Sequence, residues 1–212
     1  MPPLLALENL TVGYTADRPL VRNLCSTWDG GALIAVVGGN GSGKSTLLRT
    51  LVGELPPLAG RVLLGGVEVK KLSVRERARQ MSYTPSHVTV DPETLVKEFV
   101  ALGRWPYQRW FGGATPQDEQ AVARALSFVA LEEFADRPVL TLSDGERQRA
   151  NIALALAQEA PLLLFDEPFS HLDRAARQRL QALLQRLVRE LGRLVIYTSP
   201  EEGDVRLVNM PQ

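Results

Sequence analysis

Apolar and polar positions recur with two different periods along this chain, and the changes of period mark its parts. Residues 4–12 and 21–27 alternate at every second position, as half-buried strands do, and the polar stretch 15–19 reads as the turn between them. Residues 32–37 form an uninterrupted apolar run, the pattern of a strand buried on both faces. A glycine-rich turn then leads into a predicted helix over 44–52, ended by Gly53. Residues 61–69 read as a hairpin about Gly65-Gly66. Ser73 followed three residues later by Glu76 is a capping-box signature for a short helix, and residues 81–84 are a short strand stopped by Pro85.

From Pro92 to about Pro138 the strand signal disappears. Residues 94–102 and 116–129 read as helices, the second with Thr115 as cap and Pro116 at the first helical position. Between them, residues 103–114 are rich in glycine and aromatic side chains. The alternation then resumes as helix 145–158, strand 162–165, helix 174–191 and strand 194–198. Strands alternating with helices predict an α/β fold, a mainly parallel sheet covered by helices on both faces. On this reading residues 1–90 and 139–212 form one α/β core with an N-terminal antiparallel β part. Residues 91–138 are a helical subdomain inserted in it. The whole is a single domain with no repeat and no low-complexity segment.

Composition narrows the function without choosing one. Apolar residues make up 45% and charged residues 23% of the 212, ordinary usage for a folded domain. Twenty-four basic and twenty-four acidic residues cancel, which leaves no electrostatic footprint for nucleic acid and no polybasic membrane anchor. Cys25 is the single cysteine, so neither an intrachain disulfide nor a cysteine metal site is expected. The opening residues show no signal-peptide pattern, and no apolar run approaches the roughly 18 residues of a membrane span. The expectation is an intracellular, cytoplasmic chain that reaches the inner face of a membrane only through partner subunits.

The chemistry is carried first by Gly38-Gly39-Asn40-Gly41-Ser42-Gly43-Lys44-Ser45, which fits G-x-x-x-x-G-K-[ST] between a buried strand and a helix. Glycines let the backbone wrap phosphate oxygens, and N–H groups at a helix start point at them. Lys44 can reach the β- and γ-phosphates of ATP, and the Ser45 hydroxyl can bind Mg²⁺. Gly38, Asn40, Gly41, Ser42, Gly43, Lys44, Ser45 and Thr46 are therefore the candidate phosphate-binding set. Residues 162–165 are an apolar strand running into Asp166 and Glu167. Beside a phosphate loop, Asp166 is placed to hold the Mg²⁺ shell and Glu167 to polarise an attacking water. Read alone, the pair could equally be a solvated acidic turn.

Leu142-Ser143-Asp144-Gly145-Glu146-Arg147-Gln148-Arg149 opens a helix shortly before that strand, and here the chain resembles the ABC ATPase family, whose signature is a Leu-Ser-Gly-Gly-Gln-type sequence. Ser170-His171-Leu172-Asp173 resembles the family's D-loop, and residues 4–198 follow its order of motifs. The resemblance implies a P-loop NTPase core with a helical subdomain. It places Tyr14 where an aromatic ring stacks on adenine. It also implies that Ser143, Gly145 and Glu146 cap the γ-phosphate held by a second ABC ATPase subunit, as the exposed N–H groups of a helix start can. Ser143 also makes sense simply as the cap of its own helix, and the two roles are compatible.

Residues 100–107 and 142–158 look like the ATPases of iron-siderophore, haem and cobalamin importers. In that family the region around Trp105, Tyr107, Trp110 and Phe111 meets a transmembrane permease subunit. Those rings could equally fill the small core of the insertion.

Two positions depart from the family. A glutamine is expected after the strand at 81–84, where this chain has Ser86. A histidine is expected after the strand at 194–198, where it has Ser199. Ser86 and Ser199 are counted among the candidate catalytic residues, with Lys44 and Glu167, but as shorter donors. The pattern implies slow hydrolysis, a regulatory or scaffold subunit, or one half of an asymmetric pair. The chain ends thirteen residues after Ser199, and residues 204–208 could supply one short strand. A soluble ABC protein of DNA repair or translation would need a coiled-coil insertion or a second cassette, and the sequence contains neither.

Overall fold

In the computed structural model, residues 1–108, 113–200 and 206–209 are described. All six residues of β3 (Leu33–Gly38) are buried, because the strand divides its side chains between two cores. Leu33, Ala35 and Val37 join a cluster made with helices, while Ile34 and Val36 join a second cluster on the opposite face. The same division runs through β7 (Leu162–Phe165) and β8 (Leu194–Pro200). Leu163, Phe165, Val195 and Tyr197 face one way, and Leu162, Leu164, Leu194 and Ile196 the other. A strand covered on both faces has no polar side to alternate with, which explains the unbroken apolar runs.

With β6 (Met81–Thr84) and β9 (Arg206–Asn209) these strands form a five-stranded sheet in the order β6-β7-β8-β3-β9. The pairings from β6 through β3 are parallel, and β9 closes the edge antiparallel to β3. A second, antiparallel sheet has the order β2-β1-β4-β5, formed by β1 (Leu5–Thr15), β2 (Arg18–Trp28), β4 (Ala59–Leu64) and β5 (Val67–Glu68).

Helices do not cover both faces of the parallel sheet equally. One face carries α3 (Val96–Ala101), α5 (Asp144–Ala157) and α6 (Arg174–Leu191), with α4 (Pro116–Phe128) joining through Ala125 and Leu126. The other face carries one helix, α1 (Lys44–Leu51), and is completed by the antiparallel sheet, whose Leu5, Leu7, Leu10 and Val62 fill the gap. Three boundaries also differ from expectation. The β1–β2 turn is confined to Ala16-Asp17. Helix α3 starts at Val96 and passes into a 3-10 turn over Leu102–Tyr107. Strand β8 continues through Ser199 and Pro200, so Ser199 lies inside the ladder opposite Val37 and not after the strand.

The segment between β6 and α5 leaves and rejoins the core at one place. The Val96 N–H donates to the Arg137 carbonyl at 2.9 Å, and the Val139 N–H to the Thr94 carbonyl at 2.9 Å. Helix α2 (Val74–Gln80), opened by the predicted Ser73–Glu76 capping box, ties this segment to the core. Arg75 and Arg79 donate through Nε to the Pro106 carbonyl at 2.8 and 3.2 Å, and Gln158 Nε2 to the Met81 carbonyl at 2.9 Å. Gly103 sits so close to α5 that a Cβ there would lie 2.3 Å from the Leu154 carbonyl oxygen, which only glycine avoids.

Candidate functional site

The loop after β3 turns back on itself to start α1, and its conformation depends on Gly43, the residue before the first helical turn. Its φ is 107°, and an added Cβ would lie 2.7 Å from Leu20 Cβ. Helix α1 has no side-chain cap and no acidic residue in its first turn. The N–H groups of a first helical turn have no partner within the helix, so this end is left as a positive, donor-rich cradle. Lys44 is 4% exposed and its Nζ donates to the Gly38 and Gly39 carbonyls, both at 2.9 Å, which folds the ammonium across the loop. The Ser42 hydroxyl is buried without a hydrogen-bond partner.

A cleft of about 380 Å³ opens above this loop, lined among others by Tyr14, Asn40, Gly41, Lys44, Ser45 and Glu167. Gly43 and Thr46 line it as well. Tyr14, near the end of β1, is 68% exposed, and its hydroxyl accepts from Thr46 Oγ1 at 3.4 Å. Gly38 and Ser42 belong to the loop beneath.

The carboxylate pair lies at the end of β7, and the two members have different surroundings. Asp166 is 5% exposed, and both of its oxygens are engaged. Oδ1 accepts from Thr198 Oγ1 at 2.7 Å, and Oδ2 from the Tyr83 hydroxyl at 3.4 Å. Burial, and then the charge of Asp166, pushes the Tyr83 hydroxyl well above its usual pKa, so it remains a neutral donor. Glu167 faces the cleft in a left-handed backbone conformation (φ 50°), unusual for a residue with a side chain. Its main chain is tied on both sides: the N–H donates to Thr198 Oγ1 at 2.6 Å, and the carbonyl accepts from Ser170 N–H and Oγ at 3.1 and 2.8 Å. Among the described residues no group hydrogen-bonds the Glu167 carboxylate.

The signature residues lie elsewhere. Ser143, Gly145 and Glu146 line a separate cavity of about 250 Å³ at the start of α5, with Arg149, Ala176 and Arg179, and share no lining residue with the phosphate-loop cleft. Ser143 caps α5, and its N–H and hydroxyl donate to Glu146 Oε2 at 2.9 and 2.8 Å. Those two bonds, the backbone one first, hold the Glu146 carboxyl below its usual range.

Ser86 and Ser199 are both partly buried, line neither cavity, and make no side-chain hydrogen bond among the described residues. Of the aromatic group, Trp105 is 72% exposed, whereas Tyr107 is drawn inward: its hydroxyl donates to the Gln158 carbonyl at 3.0 Å, and Arg104 lies 4.1 Å above its ring. Trp110 and Phe111 lie outside the described residues.

The site contains two groups that sequence reading missed, Tyr83 and Thr198. Thr198 is fully buried within β8 and hydrogen-bonds both Asp166 and Glu167. For Thr198 the available signal was a hydroxyl directly following the mainly apolar run 194–197.

A phosphate cradle between a buried strand and a helix, with an acidic pair at the end of β7, one strand removed across β8, defines a nucleotide hydrolase of the P-loop class. Residues 21–170 match the family described as ABC transporter, and this chain belongs to it. It is 38% identical over 192 residues to the iron(3+)-hydroxamate import ATP-binding protein of Bacillus subtilis, covering 91% of this chain and 71% of that one. It is 40% identical over 185 residues to the ferric enterobactin transport ATP-binding protein of Escherichia coli, covering 87% and 68%. A solved structure described as a metal-chelate type ABC transporter in an inward-facing conformation superposes with a TM-score of 0.81 at 31% identity, over 94% of this chain and 73% of that one. The chain is thus an ATP-binding subunit, an ATPase that powers transport, with the ABC ATPase fold.

Proposed function

We propose that this chain binds ATP with Mg²⁺ at residues 38–46, closes on a second ABC ATPase subunit, and drives a membrane importer for iron-siderophore, haem or cobalamin-like cargo. The observation that carries this reading is the division of the chemistry between two solvent-facing half-sites. The phosphate loop, with Asn40 and Ser45 exposed, and the Ser143 helix start have no lining residue in common. Each is completed by the other when two copies meet head to tail. Tyr14 stacks on adenine, the α1 cradle and Lys44 hold the phosphates, and Ser143 and Gly145 cap the γ-phosphate across the interface, with Glu146 bracing the cap.

The residues present fit Mg²⁺, a hard cation that takes few protein oxygens and keeps its waters. Ser45 offers an exposed hydroxyl at the cleft, and Asp166 a buried carboxylate next to Glu167, which lines the same cleft. Bound there through Ser45 and Asp166, the ion would neutralise charge on the phosphates. Glu167 accepts the proton of the attacking water.

The exposed ring of Trp105 belongs to the docking face for a transmembrane permease subunit. No helix among the described residues is long and apolar enough to cross a membrane, and the chain sits on the inner face of the cell membrane through that subunit. Residues 91–138 form the helical subdomain of this unit, between core segments 1–90 and 139–212. Replacing Tyr14 with Ala removes the stacking ring and is expected to weaken ATP binding about fivefold, the lower end of ~1–3 kcal/mol per stacked base because the ring is largely exposed. Fluorescent-nucleotide titration measures this.

Hydrolysis is slow in this reading, because Ser86 and Ser199 lack the reach of the side chains found there in the family. The double substitution Ser86→Gln with Ser199→His is expected to raise steady-state phosphate release by about tenfold or more, since a preorganised transition-state donor is commonly worth about 10²–10³-fold. An unchanged rate would show that neither position limits turnover. Co-purification of the full chain with membrane subunits, followed by transport of ferric-siderophore into vesicles, tests the cargo.

A further inference from the structure

Among the described residues, Thr198 is the one side chain that hydrogen-bonds both members of the acidic pair. It is completely buried, and its hydroxyl acts as both donor and acceptor: the O–H donates to Asp166 Oδ1 at 2.7 Å while the oxygen accepts the Glu167 N–H at 2.6 Å. The two bonds do different things. The first turns the Asp166 carboxylate, whose other oxygen meets Tyr83. The second acts on the backbone of Glu167, which stands at φ 50°, a conformation that costs a residue with a side chain of order 1–3 kcal/mol unless its surroundings hold it.

Strand alternation places Thr198 on the face of β8 that carries Leu194 and Ile196, toward α1, whereas Ser199 falls on the face of Val195 and Tyr197. Thr198, and not Ser199, is the hydroxyl hydrogen-bonded to Asp166 and Glu167.

We propose that Thr198 is a positioning residue for hydrolysis in this chain: its single hydroxyl sets the rotamer of Asp166 and the backbone of Glu167 together. The inference rests on the roles assigned above to Asp166 and Glu167. Thr198 does not touch ATP. Its loss lowers the rate of the chemical step and leaves nucleotide binding in place.

Two pairs of variants isolate the hydroxyl: native Thr198 against Thr198→Val, which keeps the branched shape, and Thr198→Ser against Thr198→Ala, which differ only by the oxygen. In each pair the member without the hydroxyl is expected to lose about tenfold or more in kcat, with the KM for ATP within about twofold. Thr198→Ser is expected to recover most of the native rate. If the valine variant does not fold, the serine–alanine pair decides alone. Equal kcat within the serine–alanine pair overturns the inference, as does a loss expressed in KM with kcat preserved.

Glu167→Gln measured alongside separates the two levels. If Glu167→Gln is as active as the native chain, the assigned role of Glu167 is wrong. If it is inactive while Thr198→Val and Thr198→Ala keep native kcat, only the role of Thr198 is wrong.

Discussion

Replacing Glu167 with Gln is expected to lower steady-state ATP hydrolysis by about 10²–10⁴-fold, the usual worth of a positioned general base. The choice of Glu167 over its neighbour follows from their surroundings. Asp166 has one oxygen on Thr198 and the other on Tyr83, and sits 5% exposed behind the cleft. Glu167 lines the cleft, and its carboxylate has no hydrogen-bond partner among the described residues. A proton acceptor must be within reach of the water it polarises and must not be occupied elsewhere, and only Glu167 meets both conditions. Glutamine has the same length and retains an oxygen, so ATP affinity should stay within about twofold while basicity is lost. A dimer that closes on ATP and opens on hydrolysis should then accumulate. Phosphate release and size-exclusion chromatography with ATP are the measurements. A variant retaining a third or more of native turnover would remove Glu167 from the reaction.

The local parts of this site were legible in sequence because each is contiguous. Residues 38–45 carry the strand, the turn glycines, the lysine and the helix start in one stretch, and the structure assembles the cleft around them. Strand β7 and helix α6 match their predicted bounds, 162–165 and 174–191, because a buried apolar run and a capped amphipathic stretch are strong periodic signals. What the sequence does not display is pairing between distant residues. Thr198 and Asp166 are 32 positions apart and Tyr83 is 83 positions from Asp166, so their contacts exist only once β6, β7 and β8 lie side by side. The end of β8 was misplaced for a related reason. Ser199 and Pro200 look like strand breakers in isolation, but the ladder to Val37 and Gly38 holds them extended. The second cover of the sheet was also out of sight, since β1 and β4 show half-buried patterns without saying which surface they bury.

Arg104 is the clearest case of a residue that pattern reading passes over, and its removal is expected to have the largest effect on stability. It stands at the start of the stretch that reads as a loop, yet its side chain is only 6% exposed and meets three acceptors. Nε donates to Asp118 Oδ1 at 2.8 Å, while one terminal nitrogen donates to the Ala157 carbonyl at 2.6 Å and to Glu159 Oε2 at 2.7 Å. Asp118 is equally buried and also serves α4, where Oδ2 accepts from the Thr115 N–H at 3.0 Å and its hydroxyl at 2.8 Å. One guanidinium thus joins the start of α4 to the end of α5.

Arg104→Ala leaves the Asp118 carboxylate buried without its cation, which costs about 3–5 kcal/mol. For a chain of this size that corresponds to a fall in Tm of about 6–20 °C. Glu159, half exposed and paired with Arg124 as well, contributes little to that figure. Arg104→Met with Asp118→Leu, which removes both charges and fills the space, should be less damaging than Arg104→Ala alone.

The pH dependence distinguishes a charge effect from lost packing. The Asp118 carboxyl is held below its usual range by the Thr115 N–H first and by Arg104 next. A carboxyl depressed in the folded state stabilises above its unfolded pKa, about 3.9, and that stabilisation is lost as pH falls through the folded value. The difference in Tm between the native chain and Arg104→Ala should therefore be full at pH 7 and shrink steadily below about pH 4. A gap that stays constant across that range would mean that Arg104 acts through its other contacts, among them its guanidinium over the Tyr107 ring, and not through its pairing with Asp118.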